Sequence, residues 1–166
     1  IEQAGTYRLP EAQLDRFLMK ASLGYPDYDA AVRVLAEAAT RDRSKAIEPV
    51  VTAQVVTGMA QLADAVHVDP ALLGYVIHLA EATREHPALR LGLSMRGALA
   101  YVRCAKTWAA SQGRSYVTPD DVKLLAHPIL SHRILLEAEA QFAGTTVDEV
   151  IDEILASVAP PTGRAG

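Results

Sequence analysis

The sequence predicts a mainly α protein, a helical bundle preceded by a short α/β segment. Three observations carry this. Apolar residues recur at helical spacing from about residue 28 to residue 158. Start signals precede several of these stretches: Asp69-Pro70, Ser94, Thr118-Pro119 and the box Thr146-Val147-Asp148-Glu149. Half of the 166 residues are apolar yet only 5% are aromatic, so the core is expected to be built from Leu, Val, Ile and Ala.

The elements follow in chain order. Pro10 to Arg16 reads as a short helix opened by proline. The apolar run Phe17-Leu18-Met19-Lys20-Ala21-Ser22-Leu23 reads as a strand. A lone strand leaves its backbone donors and acceptors unsatisfied. Residues 1–24 are therefore expected to be the end of a larger α/β unit, with an open edge that favours self-association. Gly24-Tyr25-Pro26-Asp27 is a hinge whose Asp27 can cap the next helix.

From there to residue 159 the pattern is helical. A first helix is expected over 28–40, with Ala31, Leu35, Ala38 and Ala39 on one face; 41–49 is a loop. A second, over 53–66, points Val55, Val56, Met59, Leu62, Ala63 and Val66 inward. A third runs from Pro70 to about Arg84, with Leu72, Leu73, Val76, Leu79, Ala80 and Thr83 as its stripe. The fourth and longest, Met95 to Gln112, has Met95, Ala98, Leu99, Val102, Ala105 and Ala109 as its core face and Gly113 as its stop. A fifth starts at Thr118-Pro119 and is stopped or kinked by Pro128, with a further helical segment expected over 129–140. The last opens at Thr146, with Val147, Val150, Ile151, Ile154, Leu155 and Val158 inward, and residues 160–166 are expected to be a disordered tail.

Composition narrows the function classes. A net charge of −4 disfavours a sequence-independent nucleic-acid binder, which would carry a basic stripe. No apolar run approaches the roughly 18 residues of a membrane span. Cys104 is the only cysteine, so no internal disulfide can form, and a reducing cytoplasm is the default location. His127 and His132 are separated by Pro128 and lack accompanying thiolates, so no metal site is expected. Cys104 is expected to be a buried, inert thiol and Trp108 a core or boundary residue. Asp120 and Asp121 share one helical turn and suit capping better than acid–base chemistry.

Two blocks carry a family resemblance: IEQAGTYRLPEAQLDRF with the following GYPD hinge, and LGLSMRGALAYVRCAKTWAASQGRSYVTPDDVKLLAHPILSHRI. Together they resemble MoxR-type AAA+ ATPases over nearly the whole chain. The resemblance implies the end of the nucleotide-binding core (1–24) followed by the all-helical lid (25–159). Ala4 stands where the family usually has an acidic residue, and Arg8 where it has proline.

The resemblance also implies site residues. Arg16, in Leu14-Asp15-Arg16-Phe17, matches the arginine finger, the catalytic residue that a subunit offers to its neighbour's γ-phosphate. Arg96, in Leu93-Ser94-Met95-Arg96-Gly97, matches the second sensor, which binds the nucleotide. Arginine suits both roles because its planar fork stays charged and grips two oxygens. Arg103, seven residues on, lies near the face of Arg96. The cofactors implied for a complete protein are ATP and Mg. No G-x-x-x-x-G-K-[ST] occurs in these 166 residues, so this chain alone is expected to bind neither and to release no phosphate. The implied partners are further copies in a ring, a hexamer by analogy, and client proteins, often with von Willebrand A domains; no nucleic acid or membrane partner is implied. Without the resemblance, the same residues read as a free-standing helical interaction module, or less well as a DNA-binding helical domain.

Overall fold

The computed structural model describes residues 10–37 and 48–161. Its elements are α1 (Glu11–Leu14), α2 (Tyr28–Glu37), α3 (Ala53–Asp64), α4 (Pro70–Glu85), β1 (Leu89–Leu91), α5 (Met95–Ser111), α6 (Pro119–Leu130), β2 (Leu135–Leu136), α7 (Ala138–Phe142) and α8 (Val147–Ser157). The mainly α class is thus observed. The chain falls into two compact units, one of residues 1–20 with 60–166 and one of 21–59. Ala4 and Arg8, Ala38 to Ile47, and Thr162 to Gly166 lie outside the described residues.

In the smaller unit Asp27 caps α2, its carboxylate accepting from Ala30 N at 2.7 Å, and Thr52 accepts from Val55 N at 3.3 Å at the start of α3. Periodicity misassigns burial here. Leu35, Val55, Val56 and Met59 are exposed, and so is Leu62 beyond the unit's boundary. An apolar stripe states which residues can share a face, not that a partner covers that face.

The larger unit has a continuous core. α4 contributes Leu72, Tyr75, Val76, Leu79 and Ala80, α5 contributes Ala98, Tyr101, Ala105 and Ala109, α6 contributes Val122, Ala126, Ile129 and Leu130, and α8 contributes Val150, Ile151 and Ile154. α5 packs on α4 and α6, and α8 packs on α4 and α6. Tyr101, fully buried, donates its hydroxyl to the carbonyl of Val122, tying α5 to the first turn of α6. Cys104 is buried, and burial pushes its thiol above the ordinary value, as an inert core residue requires.

The caps form as the sequence indicates. Asp69 accepts from Ala71 N, Ser94 from Gly97 N, and Thr118 and Thr146 complete capping boxes with Asp121 and Glu149. Gly113 follows α5 with φ of 72°, the left-handed stop. Asp121 also receives both nitrogens of Arg114, at 2.7 and 2.6 Å. Burial alone would raise its pKa; the Arg114 and Thr118 hydrogen bonds outweigh burial and hold it below the ordinary carboxylate value.

Three expectations are corrected. Residues 17–23 form no strand: the segment runs without regular structure from the turn after α1 to α2. The carbonyls of Phe17 and Leu18 are met by the Arg133 and His132 side chains, and Lys20 N by the Pro128 carbonyl of α6, instead of by a neighbouring strand. Residues 129–140 are not one helix. α6 continues through Pro128 to Leu130, the chain turns, and β2 pairs antiparallel with β1, Leu89 opposite Leu136, before the short α7. The apolar pair Leu135-Leu136 gains a strand partner in Leu89–Leu91, which a local reading cannot foresee. Third, Leu73, Met95 and Leu99 are exposed; the last two point away from the core that α5 otherwise faces.

His127, near the end of α6, is clasped by two turns of α8: Nδ1 lies 3.2 Å from Asp148 and Nε2 2.9 Å from Asp152. Burial lowers its pKa, but the two carboxylates outweigh burial and raise it above the ordinary histidine value. A raised folded-state pKa adds stability that is complete below the unfolded value, about 6.5. That stability is lost as pH rises through the folded value. Melting wild type and His127→Gln between about pH 5.5 and pH 9 should show the variant's deficit greatest at the acid end and shrinking upward. A pH-independent deficit would rule out the charged clasp.

Candidate functional site

The site is built where the turn after α1 meets the N-terminal half of α5. Arg16 lies in that turn. Arg96 occupies the first turn of α5, and Arg103 follows two turns later on the same side. Arg16, Arg96 and Arg103 line one open groove of about 480 Å³, together with Asp15, Leu18, Leu99, Ala100 and Arg133. The structure therefore brings both sequence-predicted arginines, and Arg103, to one surface. Leu99 explains its own exposure: it sits between Arg96 and Arg103 and forms the apolar floor of the groove with Leu18 and Ala100.

The position of α5 is set by its entry. The backbone N–H of Leu93 donates to Thr83 Oγ1 at 2.8 Å, and Arg84 Nε donates to the Leu93 carbonyl at 2.8 Å. Between them Gly92 lies so close to α4 that a Cβ there would stand 2.7 Å from the backbone of Thr83 and Arg84. The loop is thus fixed on α4 immediately before Ser94 caps α5. A cation in a helix's first turn opposes the helix dipole. Arg96 accepts that cost at an exposed position, where an anion could offset it.

The charges of the groove are unequal in freedom. Asp15 accepts from Ser94 Oγ at 2.9 Å and from Arg133 Nε at 3.2 Å, so the one carboxylate among the described lining residues is already engaged. Arg133 is buried, its side chain 1% exposed. Sequence reasoning missed it. The only signal was weak: a permanent cation between the apolar runs Pro128-Ile129-Leu130 and Ile134-Leu135-Leu136, which must be paired if it is buried, although Arg90 between Leu89 and Leu91 is half exposed. Beside it His132 places Nε2 3.1 Å from the Phe17 carbonyl. Burial holds the His132 pKa below the ordinary value, against the pull of that carbonyl, so a neutral ring donates its Nε2–H.

No salt bridge or side-chain hydrogen bond engages the guanidinium groups of Arg16, Arg96 or Arg103 among the described residues, in contrast to Arg90, Arg114 and Arg133. Three unengaged guanidinium groups over an apolar floor are the donor set for an anion with several oxygens. They fit the terminal phosphates of a nucleoside triphosphate. They do not fit its Mg, because the groove offers no spare carboxylate. Nor do the described residues elsewhere hold a group of three His, Cys, Asp or Glu suited to a metal.

The comparisons with known proteins agree on the lineage. Residues 81–154 match the AAA lid domain family. The chain is 36% identical over 165 residues to the uncharacterised protein YeaC of Bacillus subtilis, covering 99% of this chain and 52% of that protein. It is 32% identical over 175 residues to the chaperone MoxR1 of Mycobacterium tuberculosis, covering 99% of this chain and 46% of that protein. The chain belongs to the MoxR-type AAA+ ATPase family. A solved structure of a proposed ATPase from Cytophaga hutchinsonii superposes on it with a TM-score of 0.83 at 33% identity, over 98% of this chain and 52% of that one. The chain spans about half the length of the curated relatives it matches. The family-model match runs from the middle of α4 to α8, so Arg96, Arg103 and Arg133 fall inside the AAA lid and Arg16 before it. Among the described residues no helix is long and apolar enough to cross a membrane.

Proposed function

We propose that this MoxR-type chain supplies the arginine face of an ATP-hydrolysing site in a cytoplasmic ring of AAA+ subunits. The reading rests on a single observation: Arg16 and Arg96, singled out on separate motifs, line one groove whose one carboxylate among the described residues, Asp15, is taken up by Ser94 and Arg133. ATP with Mg, held chiefly by residues outside this groove, would supply the phosphoanhydride to be cleaved. The chain's own residues act on its terminal phosphate. Arg16 is the catalytic residue, neutralising charge that builds in the transition state. Arg96 binds the same phosphate and links its presence to α5 and the lid bundle. Both lie on one face of one chain, so both serve a nucleotide presented by a neighbouring subunit. The ring, a hexamer by analogy, would spend the lid motion on remodelling or maturing client proteins, von Willebrand A domain proteins among them. The chaperone name of the Mycobacterium tuberculosis relative supports that direction. A helical adaptor without nucleotide chemistry would leave the segment before residue 24 without a purpose; instead, residues 10–20 are held by several hydrogen bonds from α5, α6 and the turn after α6.

Steady-state ATP turnover by the complete protein tests this. Arg96→Ala should lower kcat/KM on the order of 10- to 100-fold, most of it through weaker nucleotide binding, as loss of a charge-assisted phosphate contact requires. Arg16→Ala should act on kcat. Turnover unchanged in both variants would end the reading.

A further inference from the structure

Arg133 lines the groove but is buried, and it directs most of its fork to the segment that carries Arg16. Nε donates to Asp15 Oδ1 at 3.2 Å. Nη1 donates to the carbonyls of Leu18 at 3.2 Å and Ile129 at 2.6 Å. Nη2 donates to the carbonyls of Phe17 and, at 3.5 Å, Asp15. Five acceptors therefore share one buried guanidinium, and four of them belong to the turn that carries Arg16. The same turn is tied to the cap of α5 by Ser94 Oγ donating to Asp15, to His132 through the Phe17 carbonyl, and to α6 by Lys20 N donating to the Pro128 carbonyl at 2.8 Å.

These bonds have a mechanical consequence. The Arg16 turn has no regular secondary structure of its own beyond the four-residue α1. A short exposed turn would sample many conformations. Here its carbonyls are pinned to the C-terminal end of α6 and its carboxylate to the N-terminus of α5, the helix of Arg96. Arg16 and Arg96 are thus held in one rigid frame, although eighty residues separate them in sequence. A Lys ammonium could not replace the clamp, because a point charge on a flexible stem cannot span acceptors arranged around a planar fork.

We propose that Arg133 is a positioning residue for the phosphate groove: it locks the Asp15–Leu18 turn to the lid, so that Arg16 and Arg96 approach one terminal phosphate as a single unit and movement of the lid carries the finger with it. The proposal rests on the reading of Arg16 given above. It assigns Arg133 no contact with the nucleotide. Its effect reaches the reaction only through Arg16.

Turnover of the complete protein tests it in wild type, Arg16→Ala, Arg133→Lys, Asp15→Ala and the double variant Arg16→Ala/Arg133→Lys, with folding checked by thermal melts. Arg133→Lys should lower kcat on the order of 10- to 100-fold, the cost of a displaced reacting group, with KM for ATP within about threefold. Asp15→Ala, at a part-exposed position, should lower kcat in the same sense by about tenfold. The double variant should turn over no more slowly than Arg16→Ala alone, because residues acting as one unit are non-additive. A merely structural arginine would give losses that multiply. If Arg133→Lys does not fold, Asp15→Ala and its double variant with Arg16→Ala decide. Wild-type kcat in the clamp variants beside a slow Arg16→Ala overturns the proposal and leaves the finger standing, as do multiplying losses. Wild-type turnover in Arg16→Ala overturns both.

Discussion

Arg16→Ala is expected to reduce ATP turnover by the complete protein about 10³- to 10⁵-fold, the range associated with an arginine finger, while leaving ATP affinity within a few-fold. The size follows from the timing of the contact. Charge on the equatorial oxygens and the leaving group is redistributed only as the phosphoryl group transfers, so a guanidinium aimed there stabilises the transition state more than the bound substrate. Removal of such a group appears in kcat and not in KM. Arg16→Lys should recover little, because one ammonium cannot grip two oxygens in a fork. Mixing Arg16→Ala subunits into wild-type rings should depress activity at the wild-type subunits that face them, as a residue acting across an interface would. Mixing Arg16→Ala subunits with subunits that cannot bind ATP should then restore part of the activity, since an intact site and an intact finger meet across an interface; no recovery would place the contact within one subunit.

Gly92→Ala is expected to cost about 3 kcal/mol, the upper end for overpacking, and to lower the melting temperature by roughly 10 °C or more. The added methyl would meet the Thr83 and Arg84 backbone at 2.7 Å. Backbone in the last turns of a packed helix cannot rotate aside as a flexible side-chain end can. The loop must therefore lift from α4, straining the bonds that Thr83 and Arg84 make to Leu93. The same lift displaces Ser94 and the start of α5, so turnover should also fall below the melting range. Thermal denaturation with turnover measured well below the transition checks both effects. A variant as stable as wild type would show that the loop is looser than its contacts imply.

Much of the fold was legible because its signals are local. Asp69-Pro70, Ser94, Thr118 with Asp121, and Thr146 with Glu149 each satisfy backbone donors within a few residues, so spacing alone reveals them. Most inward residues of α4 and α8 were legible for the same reason, Leu73 excepted. The stripe rule failed at Leu35 of α2, at Val55, Val56, Met59 and Leu62 of α3, at Leu73 of α4 and at Met95 and Leu99 of α5, where an apolar face need not be a covered one, but it held at Ala63 and Val66. The site was legible only in part. Arg16 and Arg96 were found through motif resemblance, not through any chemistry visible in isolation, since a single exposed arginine is ordinary. Arg133 was missed because apolar neighbours in sequence do not decide burial: Arg90, between two leucines, is half exposed, whereas Arg133 is buried.

By itself the sequence determined the helical class, the helix starts, the −4 charge balance and the identity of the cations available to meet an anion. These depend on residue type and on neighbours within a turn or two. Only the tertiary structure decided that Phe17 to Lys20 is held by Arg133, His132 and α6 rather than by a strand, and that Arg16 shares a groove with Arg96 and Arg103. The physical reason is separation along the chain: four of the five acceptors of a buried guanidinium lie more than a hundred residues away from it. Which distant carbonyls a charge will meet is settled by how helices pack, and no local pattern encodes that.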